Sequence, residues 1–203
     1  MGGYWGYFVV GRGERPLGEY EALAGVPELA LRTSAPDGWQ VWEYPGGDAE
    51  IGSMNALALE SGAPALFGYV MDSACVVVEA AAPESGAWSS CLVRAAMAGY
   101  LGAETEGLTL EDYFLEPRDA AERAVAWARE AGRVVAAEEL AEVFAADTDA
   151  VFDAVAAGLP TAVSDWISDP AAGPESADPA PENPELAEKL FFRLLDRLGV
   201  VPL

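Results

Sequence analysis

Short apolar runs separated by turn residues dominate the amino-terminal part of the chain, which is the pattern of a β-sheet. Residues 4–10 are aromatic and β-branched, which favours a strand, and the glycines within residues 11–13 are expected to end it. Residues 39–44 predict a second strand. Because large apolar side chains alternate onto both sides of this strand, we expect both of its faces to be covered.

Two further apolar runs, residues 65–71 and 75–81, flank an aspartate–serine turn and predict a hairpin. Helices are expected before and after this hairpin. Residues 16–24 begin with proline and predict a short helix. The spacing of apolar residues predicts longer helices over residues 49–61 and 87–101.

Helical periodicity replaces the strand pattern in the second half of the chain. It predicts helices over residues 118–131, 136–145 and 148–157. Residues 169–183 are acidic, rich in proline and poor in large apolar side chains, so they predict a mobile linker. The sequence Asn-Pro-Glu at residues 183–185 combines a cap, a proline and an acid, which predicts the start of a last helix.

These patterns predict an α+β protein with an antiparallel or mixed sheet, packed helices and a helical carboxy-terminal part. We expect an α+β sheet domain over residues 1–116 and a helical extension packed on it over residues 117–168. The acidic, proline-rich linker of residues 169–183 then leads to an amphipathic helix over residues 184–203.

The last helix is the first candidate for a partner-binding surface. Its apolar stripe consists of Leu186, Leu190, Phe191, Leu194 and Leu198. In one interpretation this stripe packs on the protein's own core, or on a second copy in a homodimer. In the other, the linker tethers a recognition helix that fits a groove in another protein.

Charge narrows the choice of partners. The 203 residues include 34 acidic and 11 basic side chains and carry a formal charge of −23, although 52% of them are apolar and can form a core. Such a charge repels nucleic acid and anionic membranes, so we expect a basic protein as partner and neither of those. No apolar stretch approaches the ~20 residues of a membrane helix, and no signal peptide is visible, so we expect a cytoplasmic protein.

The chemistry available to the chain is also limited. The chain contains no histidine, so catalysis by a nucleophile–histidine pair within one chain is excluded. Cys75 and Cys91 are expected to be buried free thiols. Residues 147–158 resemble a calcium loop but have Phe152 and Gly158 where that loop needs glycine and glutamate. We therefore expect no metal site and no cofactor.

Glu79 is the candidate for a buried carboxylate, because it follows three valines inside an apolar strand. A buried carboxylate has either a raised pKa or a partner, and Arg94 is the nearest base in the sequence. The alternative is that Glu79 faces water on the exposed side of an antiparallel sheet.

Three functions fit this sequence. Ten arginines against one lysine are typical of a GC-rich bacterial genome or of adaptation to high salt, and the acidic composition resembles that of small bacterial immunity or inhibitor proteins. We therefore expect a protein-binding module with a basic partner. The alternatives are an enzyme that uses carboxylates or a metal without histidine, and an acidic structural or house-keeping protein. The aromatic residues of the first two strands either pack in the core or line a recognition face: Tyr4, Trp5, Tyr7, Trp39, Trp42 and Tyr44.

Overall fold

One antiparallel sheet organises the part of the chain that the computed structural model describes, namely residues 4–46, 51–104, 110–146 and 186–202. The sheet has six strands in the spatial order β2-β3-β1-β4-β5-β6. The strands are β1 (Gly6–Arg12), β2 (Ala30–Ser34), β3 (Trp39–Pro45), β4 (Ala65–Met71), β5 (Cys75–Ala82) and β6 (Gly86–Leu92). The helices are α1 (Met54–Ser61), α2 (Arg94–Glu104), α3 (Pro117–Glu130), α4 (Ala137–Ala145) and α5 (Leu186–Arg197). The predicted α+β class is confirmed.

One face of the sheet is covered by α3, α4 and α5, which we call the helix layer. Alternate side chains of the strands point into this interface, among them Phe8, Val41, Leu66, Val78 and Trp88, and all five are buried. They form a single core with the buried sides of the three helices. Of the two hydrophobic cores formed by the described residues, this one is the larger.

The second face of the sheet is covered over part of its area. Val9, Ala65 and Ala81 pack there against α1, which contributes Met54 and Leu57. Two short 3₁₀ turns, Leu17–Glu19 and Glu21–Leu23, lie beside this helix where the sequence predicted one short helix. The remaining area of this face carries the site described below.

The predicted hairpin is confirmed as β4 and β5, which pair from Ala65 with Ala81 to Met71 with Cys75. Asp72 and Ser73 both have a φ of 54°, as the tight turn of a hairpin requires. The predicted strand over residues 39–44 is confirmed as β3.

The prediction of one helix over residues 87–101 is wrong in its first half. Residues 86–92 form β6, which pairs with β5, and α2 begins only at Arg94. Trp88 and Leu92 have a spacing that suits a helix as well as a strand, so periodicity alone did not separate the two. The neighbouring strand decides the outcome, because β5 offers a complete edge of backbone donors and acceptors.

Other boundaries also differ from the predictions. The first strand continues to Arg12, through the expected turn, because it stays paired with β3 as far as Trp39. The strand β2 was not predicted, since its five residues are all exposed and show no alternation. Helix α1 begins at Met54 rather than at residue 49, because the Ser53 side chain accepts a hydrogen bond from the Ala56 N–H and caps it.

The predicted helices over residues 118–131 and 136–145 are found as α3 and α4. Several predictions fall outside the described residues: the helix over 148–157, the linker over 169–183, the helix start at 183–185 and the calcium-like loop that begins at residue 147.

Candidate binding groove

An open groove of about 1060 Å³ lies on the second face of the sheet, beside α1. Its floor is made of Tyr7, Tyr44, Phe67 and Tyr69, with Val77 at one side. We call these four rings and their surroundings the aromatic groove. They come from β1, β3 and β4, so three strands have to pair correctly before the groove exists.

Strand register brings these rings together. Tyr7 lies directly opposite Tyr44 on one side and Tyr69 on the other, so the three side chains point to the same face. The rings of Tyr7 and Tyr69 are stacked, with 4.3 Å between centroids and 11° between planes. The ring centroids of Tyr44 and Phe67 each lie 6.2 Å from the centroid of the Tyr7 ring. Trp5 extends this row of rings, with 6.1 Å between its ring centroid and that of Tyr69, and 37% of its surface is exposed.

One wall of the groove is a loop that is held in place by Glu60. The Glu60 carboxylate accepts hydrogen bonds from the N–H groups of Glu21 and Ala22, at 2.9 and 3.0 Å. Gly52 lies against the same loop, and a Cβ at this position would be only 2.0 Å from the Ala22 carbonyl oxygen. The position of this wall therefore depends on the Glu60 carboxylate and on the absence of a side chain at Gly52.

The charge of the groove is negative. No basic side chain is found among its described lining residues, and Glu21 is the charged residue in that set. Glu79 lies next to the floor, directly across the strands from Phe67, and is half-buried. Burial raises the pKa of the Glu79 carboxyl. Among the described residues, none donates a hydrogen bond to this carboxylate or forms an ion pair with it.

Arg94, the base nearest to Glu79 in the sequence, is not its partner. The Arg94 guanidinium donates to the Leu115 carbonyl at 3.1 Å and lies 3.7 Å from the Glu111 carboxylate. It is directed toward the loop at the edge of β6, away from Glu79. The sequence therefore identified a partly buried carboxylate, but the base nearest to it along the chain is used elsewhere.

The apolar stripe of the last helix lies in the helix layer. Leu190, Phe191, Leu194 and Leu198 are buried in the chain's own core, whereas the Leu186 side chain lies outside the described set. This is the first of the two interpretations, docking on the protein itself. Because these side chains are buried, the open aromatic groove is the more accessible candidate site.

The two thiols are poor nucleophiles. Cys75 and Cys91 are free and buried, and burial raises their pKa values to about 12 and about 11. The thiolate, which is the reactive form, is therefore scarce at neutral pH. Within the described ranges, no three acidic or cysteine side chains form a group that could hold a metal ion.

The edges of the sheet offer less to a partner than the groove does. The loop before α3 covers the outer edge of β6, where the Leu115 N–H donates to the Ser89 carbonyl at 3.1 Å. At the opposite edge, the register of β2 shifts between Leu31 and Thr33, and the charged Arg32 lies in this irregularity. Bulges and charges at an edge oppose the addition of another strand.

Among the helices that the structure describes, none is long and apolar enough to cross a membrane.

Fold and site together define an α+β protein whose antiparallel sheet carries the helix layer on one face and, beside α1, an open aromatic groove on the other. Comparison of the chain with protein-family models, with curated proteins and with solved structures found no significant match in any of the three. The residues of the groove therefore carry the functional argument.

Proposed function

We propose that this chain is a protein-binding module of the inhibitor or immunity-like kind, and that it engages a basic partner through the aromatic groove. The observation that supports this most is the stacked pair of Tyr7 and Tyr69 on an open sheet face with acids nearby, where the described lining residues include no base. Tyrosine and tryptophan are the residues most often found as energetic anchors of protein interfaces.

The geometry of the groove favours a segment of protein over a small metabolite. The groove is wide and open, and it runs across three strands along a row of rings that ends at the exposed Trp5. Small-molecule sites usually enclose most of the ligand, which this groove does not do. A side chain or a short segment of a partner can instead lie along the rings.

Charge supports a basic partner in two ways. Aromatic faces and carboxylates both attract ammonium and guanidinium groups. The formal charge of −23 also accelerates encounters with a positively charged protein and makes them sensitive to salt. The same charge opposes binding of nucleic acid, since phosphates would be repelled.

Replacing Tyr69 with alanine is expected to weaken the binding of a short capped peptide that contains arginine and lysine by about tenfold or more. The substitution removes the ring that stacks on Tyr7 and interrupts the floor of the groove. Titration calorimetry at low ionic strength measures the affinity, and the same titration at higher salt is expected to show weaker binding.

A matched control is Tyr113→Ala, which removes another partly exposed tyrosine, 46% accessible, from the loop at the edge of β6. This variant is expected to bind the peptide as the unmodified chain does. Equal affinities of the Tyr69→Ala variant and the unmodified chain would contradict the proposal, as would binding that does not respond to salt.

A further inference from the structure

We propose that Phe67 and Glu79 form a receptor for one arginine side chain of the partner, so that the groove prefers arginine to lysine. This inference rests on the proposed function and names the chemical group that the groove recognises. It comes from comparing three places in the molecule where an aromatic ring and a glutamate lie side by side.

The first place is on the opposite face of the same sheet. Phe8 and Glu43 are direct cross-strand neighbours on β1 and β3. Arg32 completes this pair: its Cζ lies 5.7 Å from the centroid of the Phe8 ring, and its Nη1 donates to the Glu43 carboxylate at 3.0 Å. One guanidinium thus contacts the ring and the carboxylate together.

The second place is beside the wall of the groove. The Cζ of Arg15 lies 4.3 Å from the centroid of the Tyr20 ring. The Nη2 of the same arginine lies 3.3 Å from the Glu60 carboxylate. The molecule therefore uses the combination of arginine, aromatic ring and glutamate twice in its own structure.

The third place is at the groove, and there no arginine among the described residues contacts the ring and the carboxylate. Phe67 and Glu79 are direct cross-strand neighbours on β4 and β5, as Phe8 and Glu43 are on β1 and β3. Phe67 lines the groove, and the carboxylate of its cross-strand neighbour Glu79 has no partner among the described residues. Arg94, the nearest base in the sequence, is bound at the edge of β6.

The raised pKa of the Glu79 carboxyl is consistent with a group that binds a cation from a partner. Burial without a partner disfavours the charged form, which is why the pKa of this carboxyl is raised. Such a residue costs folding free energy at neutral pH. Carboxyl groups with pKa values raised by burial are common in binding and catalytic sites.

Arginine fits this place better than lysine because its guanidinium is planar. It can stack on the Phe67 ring while its N–H groups reach the two oxygens of a carboxylate, whereas an ammonium is a compact and strongly hydrated charge. The charge of the occupant is opposite to that of Glu79 and Glu21, and the described lining residues include no base to compete with it.

The test uses three capped glycine–serine peptides that differ at one position, which is arginine, lysine or citrulline. Citrulline keeps the shape of arginine and removes its charge. We expect the full chain to bind the arginine peptide about fivefold more tightly than the lysine peptide, and the citrulline peptide more weakly than either. Glu79→Gln is expected to weaken binding of the arginine peptide about tenfold and to abolish the preference over lysine.

Two further variants make the result specific. Glu138→Gln removes the same charge from an exposed position on α4 and is expected to change neither affinity by more than about twofold. Phe67→Leu keeps an apolar side chain and is expected to reduce the preference for arginine, since the ring is lost. The Glu79→Gln variant is expected to be at least as stable as the unmodified chain at neutral pH, because the cost of a buried charge is removed.

The outcomes separate the two proposals. Equal binding of the arginine and lysine peptides, with affinity still lost in Tyr69→Ala, overturns the arginine receptor and leaves the binding groove intact. An equal effect of Glu79→Gln and Glu138→Gln overturns the receptor as well, because general charge then accounts for the result. If neither basic peptide binds the unmodified chain at low salt, both proposals fail.

Discussion

Replacing Phe191 with alanine is expected to lower the free energy of unfolding by about 3–5 kcal/mol. Phe191 is fully buried in the helix layer and stacks on Phe8 of β1, with 5.8 Å between ring centroids. Its ring also fills the space above Gly68 of β4, where a Cβ would lie 2.5 Å from a ring carbon. Because the helix and the sheet are fitted to each other here, removal of the ring leaves a cavity that neighbouring side chains cannot close.

This prediction also decides between the two interpretations of the last helix. Urea denaturation followed by circular dichroism measures the change, and Arg193→Ala, on the exposed side of the same helix, is the control, with an effect within about 0.5 kcal/mol. A tethered recognition helix would contribute nothing to the stability of the body. A loss below about 1 kcal/mol for Phe191→Ala would therefore show that the helix is not docked.

Replacing Trp127 with phenylalanine is expected to cost about 1–3 kcal/mol more than replacing Trp39 with phenylalanine. The two indoles are both fully buried and lie 5.8 Å apart between centroids. They differ in their hydrogen bonds. The Nε1 of Trp127 donates to the carbonyls of Ala65 and Ala81, at 3.0 and 3.1 Å, and so joins α3 to β4 and β5.

The Nε1 of Trp39 has no hydrogen-bond partner among the described residues. Trp39→Phe therefore removes an unpaired buried donor together with some volume, whereas Trp127→Phe removes a similar volume and deprives two carbonyls of a donor. Thermal and urea denaturation of both variants gives the comparison. Equal losses of unfolding free energy would mean that the two hydrogen bonds of Trp127 contribute no stability beyond packing.

The hairpin and the later helices could be predicted because their signals are local. An aspartate–serine pair between two apolar runs specifies the turn of β4 and β5, and helical spacing identifies α3 and α4. The strand β6 could not be predicted in this way. Its pattern suits two structures, and the choice depends on pairing with β5, which is information from another part of the chain.

The candidate site was predictable in part. Tyr7 and Tyr44 belong to predicted strands that are rich in aromatic residues, and the valines before Glu79 indicate a carboxylate in an apolar strand. The run that contains Phe67 and Tyr69 predicts only an apolar strand of a hairpin. That they join Tyr7 depends on β4 pairing with β1, a register between distant segments that a single sequence does not reveal.

The measurement that tests the binding groove most directly is the map of amide chemical shifts when the arginine peptide is added to the ¹⁵N-labelled full chain. We expect changes at the amides of β1, β4 and β5 around Tyr7, Phe67, Tyr69 and Glu79, and none in β2, α3 or α4. Changes confined to β2 or to the helix layer, or no change at low salt, would contradict the assignment of the aromatic groove as the binding site.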